Sequence, residues 1–210
     1  MGCCSSSEDD LVIKALRIAP HVLRNDMHSV VQLMDLIKST SSGQRTSKRE
    51  VSNVIETLIP VDGNRQLESR ETLLHMSIRL HHVTMVKYFV SHEPKMRRKN
   101  TLGNEVLHML CLVGSPLEVV EAICSRLNQD AFESTNEDGD MPIHIAAKNR
   151  FGWIVKGLID CGADGKVVNG DNCTPMQCAR VGAVPHPRRH MEWWDPATMT
   201  FEYLQKVLSW

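Results

Sequence analysis

The sequence predicts an all-α protein, a solenoid of stacked helix–turn–helix units with a helical cap at each end. The first observation is self-similarity, because the segments TLLH, EVLH, MPIH and TPMQ end at His75, His108, His144 and Gln177, at spacings of 33, 36 and 33 residues. Periods of about 20 to 50 residues are the signature of repeat architectures. The second observation is composition. Apolar residues make up 42% of the chain but aromatic residues only 5%, which favours an interior of aliphatic helices.

The chain begins MGCCSSSEDD, and residues 1–10 are predicted to be a flexible acylation segment. The pattern M-G-x-x-x-[ST] makes Gly2 a myristoylation site, and the adjacent Cys3 and Cys4 are candidate palmitoylation sites. One myristoyl chain holds a protein at a bilayer only reversibly, so a second lipid is needed for stable attachment. This beginning resembles the dually acylated N-termini of peripheral membrane proteins. The alternative is an unmodified tail that happens to begin Met-Gly.

The serines after Cys4 are candidate phosphorylation sites. Each of Ser5, Ser6 and Ser7 is followed three positions later by an acidic residue. A phosphate there would add negative charge beside an anionic leaflet and weaken attachment. Asp9 or Asp10 is expected to cap the next helix.

Residues 11–68 are predicted to form an N-terminal helical cap or a degenerate repeat, and no motif decides between the two. Apolar spacing predicts a first helix over residues 11–19 that ends at Pro20, and a second around Val30–Ile37. The polar stretch 39–48 has the composition of a loop. A third helix is predicted from the apolar residues between Val51 and Leu58. A second interpretation of Val30–Ile37 is a helix that binds in a partner's groove.

Residues 69–185 carry the periodic array. Its best-preserved unit is Asn136–Asp164, in which Pro142 suits the first position of a helix and Gly162 suits the end of the second helix. Five residues before the recurring His or Gln stand Arg70, Gly103, Gly139 and Asn172. Glycine and asparagine tolerate positive φ, so a left-handed turn residue is predicted there. Arg70 breaks this rule, so the beginning of the first unit is expected to be atypical.

These units resemble ankyrin repeats. The family pattern G-x-T-P-L-H-x-A-A, a turn, V-V-x-x-L-L and G-A-D is matched at Gly139, Pro142, His144, Ala146, Ala147, Val155, Leu158, Ile159, Gly162, Ala163 and Asp164, whereas Met141 stands where the family has Thr. The resemblance implies a surface that binds a partner protein, with no catalytic residues and no cofactor. It also implies that His75, His108 and His144 make internal hydrogen bonds to the turn.

Two interpretations as metal sites compete with these structural roles. The three recurring histidines could be imagined as ligands, but the family uses them internally. Cys161, Cys173 and Cys178 contain no close pair of thiolates, which structural zinc usually requires. We therefore expect Cys111, Cys124, Cys161 and Cys178 to pack as small apolar residues, with Cys173 in an exposed turn.

The densest positive run is KMRRK, residues Lys95–Lys99. Its cations Lys95, Arg97, Arg98 and Lys99 are candidate partner contacts, to acidic protein residues or to an anionic leaflet. The alternative is a solvated loop. Residues 186–210 are predicted to be a C-terminal tail and capping helix, although Trp193, Trp194 and Trp210 could instead be exposed anchors for a partner.

Three hypotheses about function can be compared with these patterns. The first is a non-enzymatic interaction adaptor tethered to the cytoplasmic face of a membrane by lipidation, and the second is a soluble cytoplasmic inhibitor or regulatory subunit without acylation. The third, an enzyme, lacks support because no phosphate-binding loop, zinc-protease motif or nucleophile elbow is present. A formal net charge of −1 gives no general attraction to nucleic acid, and no small-molecule substrate is expected. The partner is expected to be one or more cytosolic proteins.

Overall fold

A computed structural model describes residues 6–40, 44–60 and 70–181. The predictions for Gly2, Cys3, Cys4 and Ser5, and for the tail 186–210, lie outside these residues. The chain divides into two compact units, Met1–Val106 and Leu107–Trp210. The described residues form ten α-helices and two strands of two residues each, so the predicted all-α fold class is confirmed.

The first unit contains five complete helices and the two short strands. The elements are α1 (Ser6–Leu23), α2 (Met27–Thr40), α3 (Gln44–Glu56), β1 (Ile59–Pro60), β2 (Arg70–Glu71), α4 (Leu73–Arg79) and α5 (Val83–Ser91). The strands are antiparallel, with Ile59 opposite Glu71 and Pro60 opposite Arg70. Arg70 therefore lies in a strand, which confirms that the first array unit begins atypically.

Helix α1 is central to the first unit because it packs against α2, α3 and α4. Its buried side recurs at helical spacing, at Ala15, Ile18 and Val22. The other helices supply Met34, Ile55 and Phe89, each fully buried. Burying a large apolar side chain stabilises a fold by roughly 1.5–3 kcal/mol, so this shared interior holds the short helices in place.

The structure corrects two predictions about α1. Pro20 does not end the helix, which continues to Leu23. A proline inside a helix leaves the carbonyl four residues earlier without its donor. Here both Pro20 and Leu16 are exposed, so water can bind the Leu16 carbonyl. The helix also begins at Ser6, so residues 6–10 are helical and Asp10 is not its cap. Asp10 instead pairs with Lys14 one turn on, at 2.7 Å from Oδ2 to Nζ.

The loop predicted at residues 39–48 is shorter than expected. Helix α2 runs to Thr40 and α3 begins at Gln44. Serine and threonine disfavour a helix only weakly, and packing on an apolar face overrides such a preference. Val51, Val54 and Ile55 provide that face for α3, since all three are fully buried.

Helix α6 (Val106–Val113) begins at the last residue of the first unit, and the rest of it belongs to the second unit. The second unit continues with α7 (Leu117–Cys124), a short 3-10 helix (Gln129–Ala131), α8 (Pro142–Lys148), α9 (Gly152–Asp160) and α10 (Pro175–Val181). Pro142 is the first residue of α8, as predicted, and Gly162 has a φ of +102° just after α9. Helices α7 and α9 pack side by side, as do α8 and α10.

The turns between paired helices share one geometry. A residue with positive φ follows the first helix of four pairs, at Asn25, His81, Gly114 and Arg150, with φ between 56° and 71°. His81, Gly114 and Arg150 each stand six residues after the recurring histidine. Asn25 occupies the corresponding place between α1 and α2. The α1–α2 pair thus has the turn of the later pairs, followed by the additional helix α3.

No described helix has the length and apolar character needed to span a bilayer.

Candidate functional site

Three loops of one design precede the helices α6, α8 and α10. We call residues 100–104, 136–140 and 169–173 the hairpin loops. Each begins with an asparagine whose Oδ1 accepts two backbone N–H groups, two and four residues ahead. For Asn100 the donors are Leu102 and Asn104, at 3.0 and 2.9 Å. Asn136 and Asn169 repeat both bonds at 2.9 to 3.1 Å.

The fourth position of each hairpin loop is left-handed. Gly103, Gly139 and Asn172 have φ values of 70°, 76° and 57°, which confirms the prediction made from their sequence column. At Gly139 space is limiting as well, since a Cβ there would lie 2.9 Å from the Cα of Gly170. The close approach lets the Gly170 N–H donate to the Gly139 carbonyl at 2.9 Å. Adjacent loops of the second unit are therefore joined through their backbones.

The recurring histidines tie each helix pair to the loop that follows it. The Nε2 of His75 lies 3.1 Å from the carbonyl oxygen of Asn104. His108 reaches the Ser134 carbonyl at 3.0 Å and His144 reaches the Val167 carbonyl at 3.2 Å. Because a carbonyl only accepts, Nε2 carries the proton and donates in each case. The predicted structural role of these histidines is confirmed.

The Nδ1 atoms of these histidines differ according to the residue three positions earlier. His75 Nδ1 lies 2.7 Å from the hydroxyl of Thr72, which also accepts the His75 backbone N–H at 3.2 Å. In the repeat of His144, Met141 replaces the threonine. His144 Nδ1 is buried there and has no hydrogen-bond partner among the described residues. Burial lowers the pKa of His144, so its imidazole is neutral at physiological pH.

The predicted contact residues lie on an exposed stretch of the first unit that we call the basic segment, Lys95–Lys99. Lys95, Arg97, Arg98 and Lys99 are all exposed, whereas Met96 between them is buried. The backbone is held in place, since the Lys95 N–H donates to Glu56 Oε1 at 2.6 Å. Arg97 Nε lies 3.4 Å from Glu105 Oε2, so part of its charge is balanced within the chain. The segment thus presents several cations from a fixed backbone.

The basic segment leads directly into the first hairpin loop, whose tip carries Leu102. This side chain is 57% exposed, the same value as Leu36 and the highest among the exposed large apolar residues described. The tips of the other loops are acidic, with Glu137 and Asp138 exposed in one and Asp171 in the other. The three hairpin loops therefore have the same backbone conformation but expose different side chains to solvent.

Cys111, Cys124 and Cys178 are buried, as predicted, whereas Cys161 is only half-buried. Cys173 lies in a hairpin loop, as expected for a turn residue, but it is half-buried rather than exposed. Burial raises the pKa of the Cys111, Cys124 and Cys178 thiols, which keeps them protonated and poorly nucleophilic at neutral pH. No group of three or more potential metal ligands occurs in the described ranges.

Sequence reasoning missed the loop asparagines and Leu102. A signal for the asparagines exists, because Asn100, Asn136 and Asn169 each stand eight residues before the recurring His or Gln. Asparagine commonly accepts backbone N–H groups in turns. Leu102 carries no such signal, since an isolated leucine in a loop gives no indication of whether it is buried.

Comparison with models of known protein families finds no match. Among curated proteins, the chain is similar to an ankyrin repeat-containing protein of Saccharomyces cerevisiae, with 33% identity over 85 residues. The match covers 37% of this chain and 46% of the yeast protein, so it spans less than half of that relative. The paired helices, the repeated loops and this similarity together give an all-α ankyrin-repeat fold, and they support an ankyrin-repeat family assignment.

Proposed function

We propose that this protein is a non-enzymatic adaptor whose ankyrin repeats bind a cytosolic partner protein while a lipidated N-terminus holds them at the cytoplasmic face of a membrane. The basic segment is the observation that supports the proposed binding of a partner protein. Its exposed cations are carried by a backbone that Glu56 holds in place, so little backbone conformational entropy is lost when a partner binds. Acidic side chains on a partner complement such a surface.

The membrane half rests on the first four residues. Gly2 supports myristoylation and Cys3 and Cys4 support palmitoylation, and two lipids together give stable anchoring. The described residues of the scaffold give no comparable signal for catalysis. Its buried thiols are protonated, and its buried histidines donate to backbone carbonyls.

Fractionation of cells expressing the full chain tests the tether. The wild-type protein should sediment with membranes, and Gly2→Ala should release it because the acyl acceptor is lost. Hydroxylamine, which cleaves thioesters, should release palmitate from Cys3 and Cys4. A wild-type chain found wholly in the soluble fraction would favour the alternative, a soluble ankyrin-repeat regulator.

Affinity capture tests the binding half. Proteins recovered with the wild-type chain should be lost from Lys95→Gln/Arg98→Gln, because the variant removes charge without disturbing the buried Met96. The matched control is Lys38→Gln/Lys166→Gln, which neutralises two lysines elsewhere. If both double variants recovered these proteins as well as the wild-type chain does, the basic segment would not be part of the binding surface.

A further inference from the structure

The outer side of α1 is unusually apolar for a terminal helix. Ile13, Leu16 and Leu23 are 51%, 42% and 50% exposed, and with Pro20 they recur at spacings of three and four residues. Such spacing places them on one side of a helix, opposite the buried Ala15, Ile18 and Val22. Together with Arg17 and Arg24 we call this surface the α1 face.

A shallow groove between α1 and α2 extends the α1 face. Its lining is mainly apolar, from Ile18, Leu33, Leu36 and Ile37, with Lys14 and Arg17 completing it. Leu36 is 57% exposed beside it. Four of the eight exposed large apolar residues in the described part of the chain therefore lie on the first helix pair.

A helix pair that simply closes the end of a repeat stack has a polar outer side, because that side faces water. The first pair here departs from this rule. Large exposed apolar patches with a polar rim mark surfaces that contact a protein or a membrane. The α1 face is therefore too apolar for the solvent-facing side of a cap, and it is suited to contact with a protein or a membrane.

The charges on the α1 face identify what covers it. Arg17 in α1 and Arg24 just after its last residue are both exposed, stand seven residues apart, and make no ion pair within the described residues. The nearby carboxylate of Asp10 is paired with Lys14. Apolar side chains flanked by unpaired arginines complement the boundary between acyl chains and anionic headgroups.

The position of α1 in the chain supports the same occupant. Four residue steps separate Gly2 from Ser6, the first residue of α1. Four steps span at most about 14 Å when fully extended. An acyl chain on Gly2 would therefore enter a bilayer close to the beginning of α1.

We propose that the α1 face lies on an anionic lipid bilayer and forms a second membrane contact beside the acyl chains. This inference rests on the proposed lipid tether. The tether alone would leave the repeats free to rotate about the N-terminus. Contact along α1, about 27 Å long at 1.5 Å per residue, would fix the orientation of the first unit relative to the membrane.

Vesicle binding of the full-length, N-myristoylated chain tests this proposal, with phosphatidylcholine vesicles that contain or lack phosphatidylserine. Leu16→Ser/Leu23→Ser should bind both kinds about tenfold more weakly, because apolar area is lost from the contact. Arg17→Gln/Arg24→Gln should bind phosphatidylserine vesicles about thirtyfold more weakly and the neutral vesicles as wild type does. The matched control Leu112→Ser/Val168→Ser removes two comparably exposed apolar side chains elsewhere and should change neither affinity.

Unchanged binding by both α1-face variants would overturn the proposal. If the acylated wild type still bound better than Gly2→Ala, the tether itself would stand. Equal binding of acylated wild type and Gly2→Ala would instead refute the tether. If residues 186–210 or a second copy of the chain cover the face, the variants would leave vesicle binding unchanged. They would instead lower the thermal midpoint or alter the molar mass in sedimentation velocity, and either result also overturns the proposal.

Discussion

Restoring the missing threonine beside His144 should stabilise the protein. In the first array unit the Thr72 hydroxyl donates to His75 Nδ1 at 2.7 Å and accepts the His75 N–H. Met141 provides neither bond, and His144 Nδ1 remains buried without a donor in the described structure. The substitution Met141→Thr places a hydroxyl where the first unit has one. It tests whether this orphaned nitrogen costs stability.

The magnitude follows from two contributions. A threonine cap contributes about 1 kcal/mol relative to a residue that cannot cap. Satisfying a buried polar atom is worth about 1–3 kcal/mol. Loss of the half-buried Met141 side chain offsets part of this gain, which leaves a net increase of about 1–2 kcal/mol in the free energy of unfolding. For a chain of this length that corresponds to a rise of about 2–8 °C in Tm.

Thermal and urea unfolding followed by circular dichroism at neutral pH would measure the change. The control is Met141→Val, because valine has the shape of threonine without the hydroxyl. The gain should also shrink as the solution is acidified and His144 becomes protonated, since an imidazolium has no lone pair at Nδ1. Equal midpoints for the threonine and valine variants would refute the assigned role of the hydroxyl.

Three further predictions concern the scaffold. Asn100→Ala should lower the free energy of unfolding by about 1–3 kcal/mol because two loop N–H groups lose their acceptor, whereas Asn100→Asp keeps an acceptor and should lose much less in urea titrations. Ala146→Asp should abolish cooperative unfolding of the second unit by placing a carboxylate where the side chain is fully buried, while the exposed Val168→Asp should not. Hydrogen bonds from Ser29 lower the pKa of Asp26 to about 2, so its contribution to stability should be present above about pH 4 and lost as the pH falls toward 2. Asp26→Asn should remove this acid dependence of Tm while keeping a side-chain oxygen that accepts the Ser29 backbone N–H in the first turn of α2.

The array can be predicted from the sequence because its signals are local. A glycine or asparagine that must adopt positive φ recurs at a fixed distance from a histidine or glutamine, so Gly103, Gly139 and Asn172 are identifiable without any contact being known. The histidine bonds follow from the family resemblance, since a lone histidine says nothing about its partner. The missing partner of His144 follows in part from the sequence, because Met141 stands where the family has Thr, whereas the burial of the ring does not.

The structure of the N-terminal region is harder to predict because it depends on packing rather than on local signals. A proline within a helical pattern usually ends the helix. Helix α1 nevertheless continues past Pro20 because the freed carbonyl of Leu16 is on an exposed side. The exposure of Leu16 and Leu23 is equally hard to infer. Their spacing fits either a buried or an exposed stripe, and only packing against α2, α3 and α4 decides which side is covered.

The direction of the histidine bonds has a consequence for how the protein loses its structure. Each imidazole donates forward, to a carbonyl in the loop that follows its own helix pair. A break in a loop therefore removes the acceptor of the preceding histidine, while the following one keeps its own. Amide exchange in α8 should therefore accelerate when the loop around Val167 opens, because His144 then loses its acceptor.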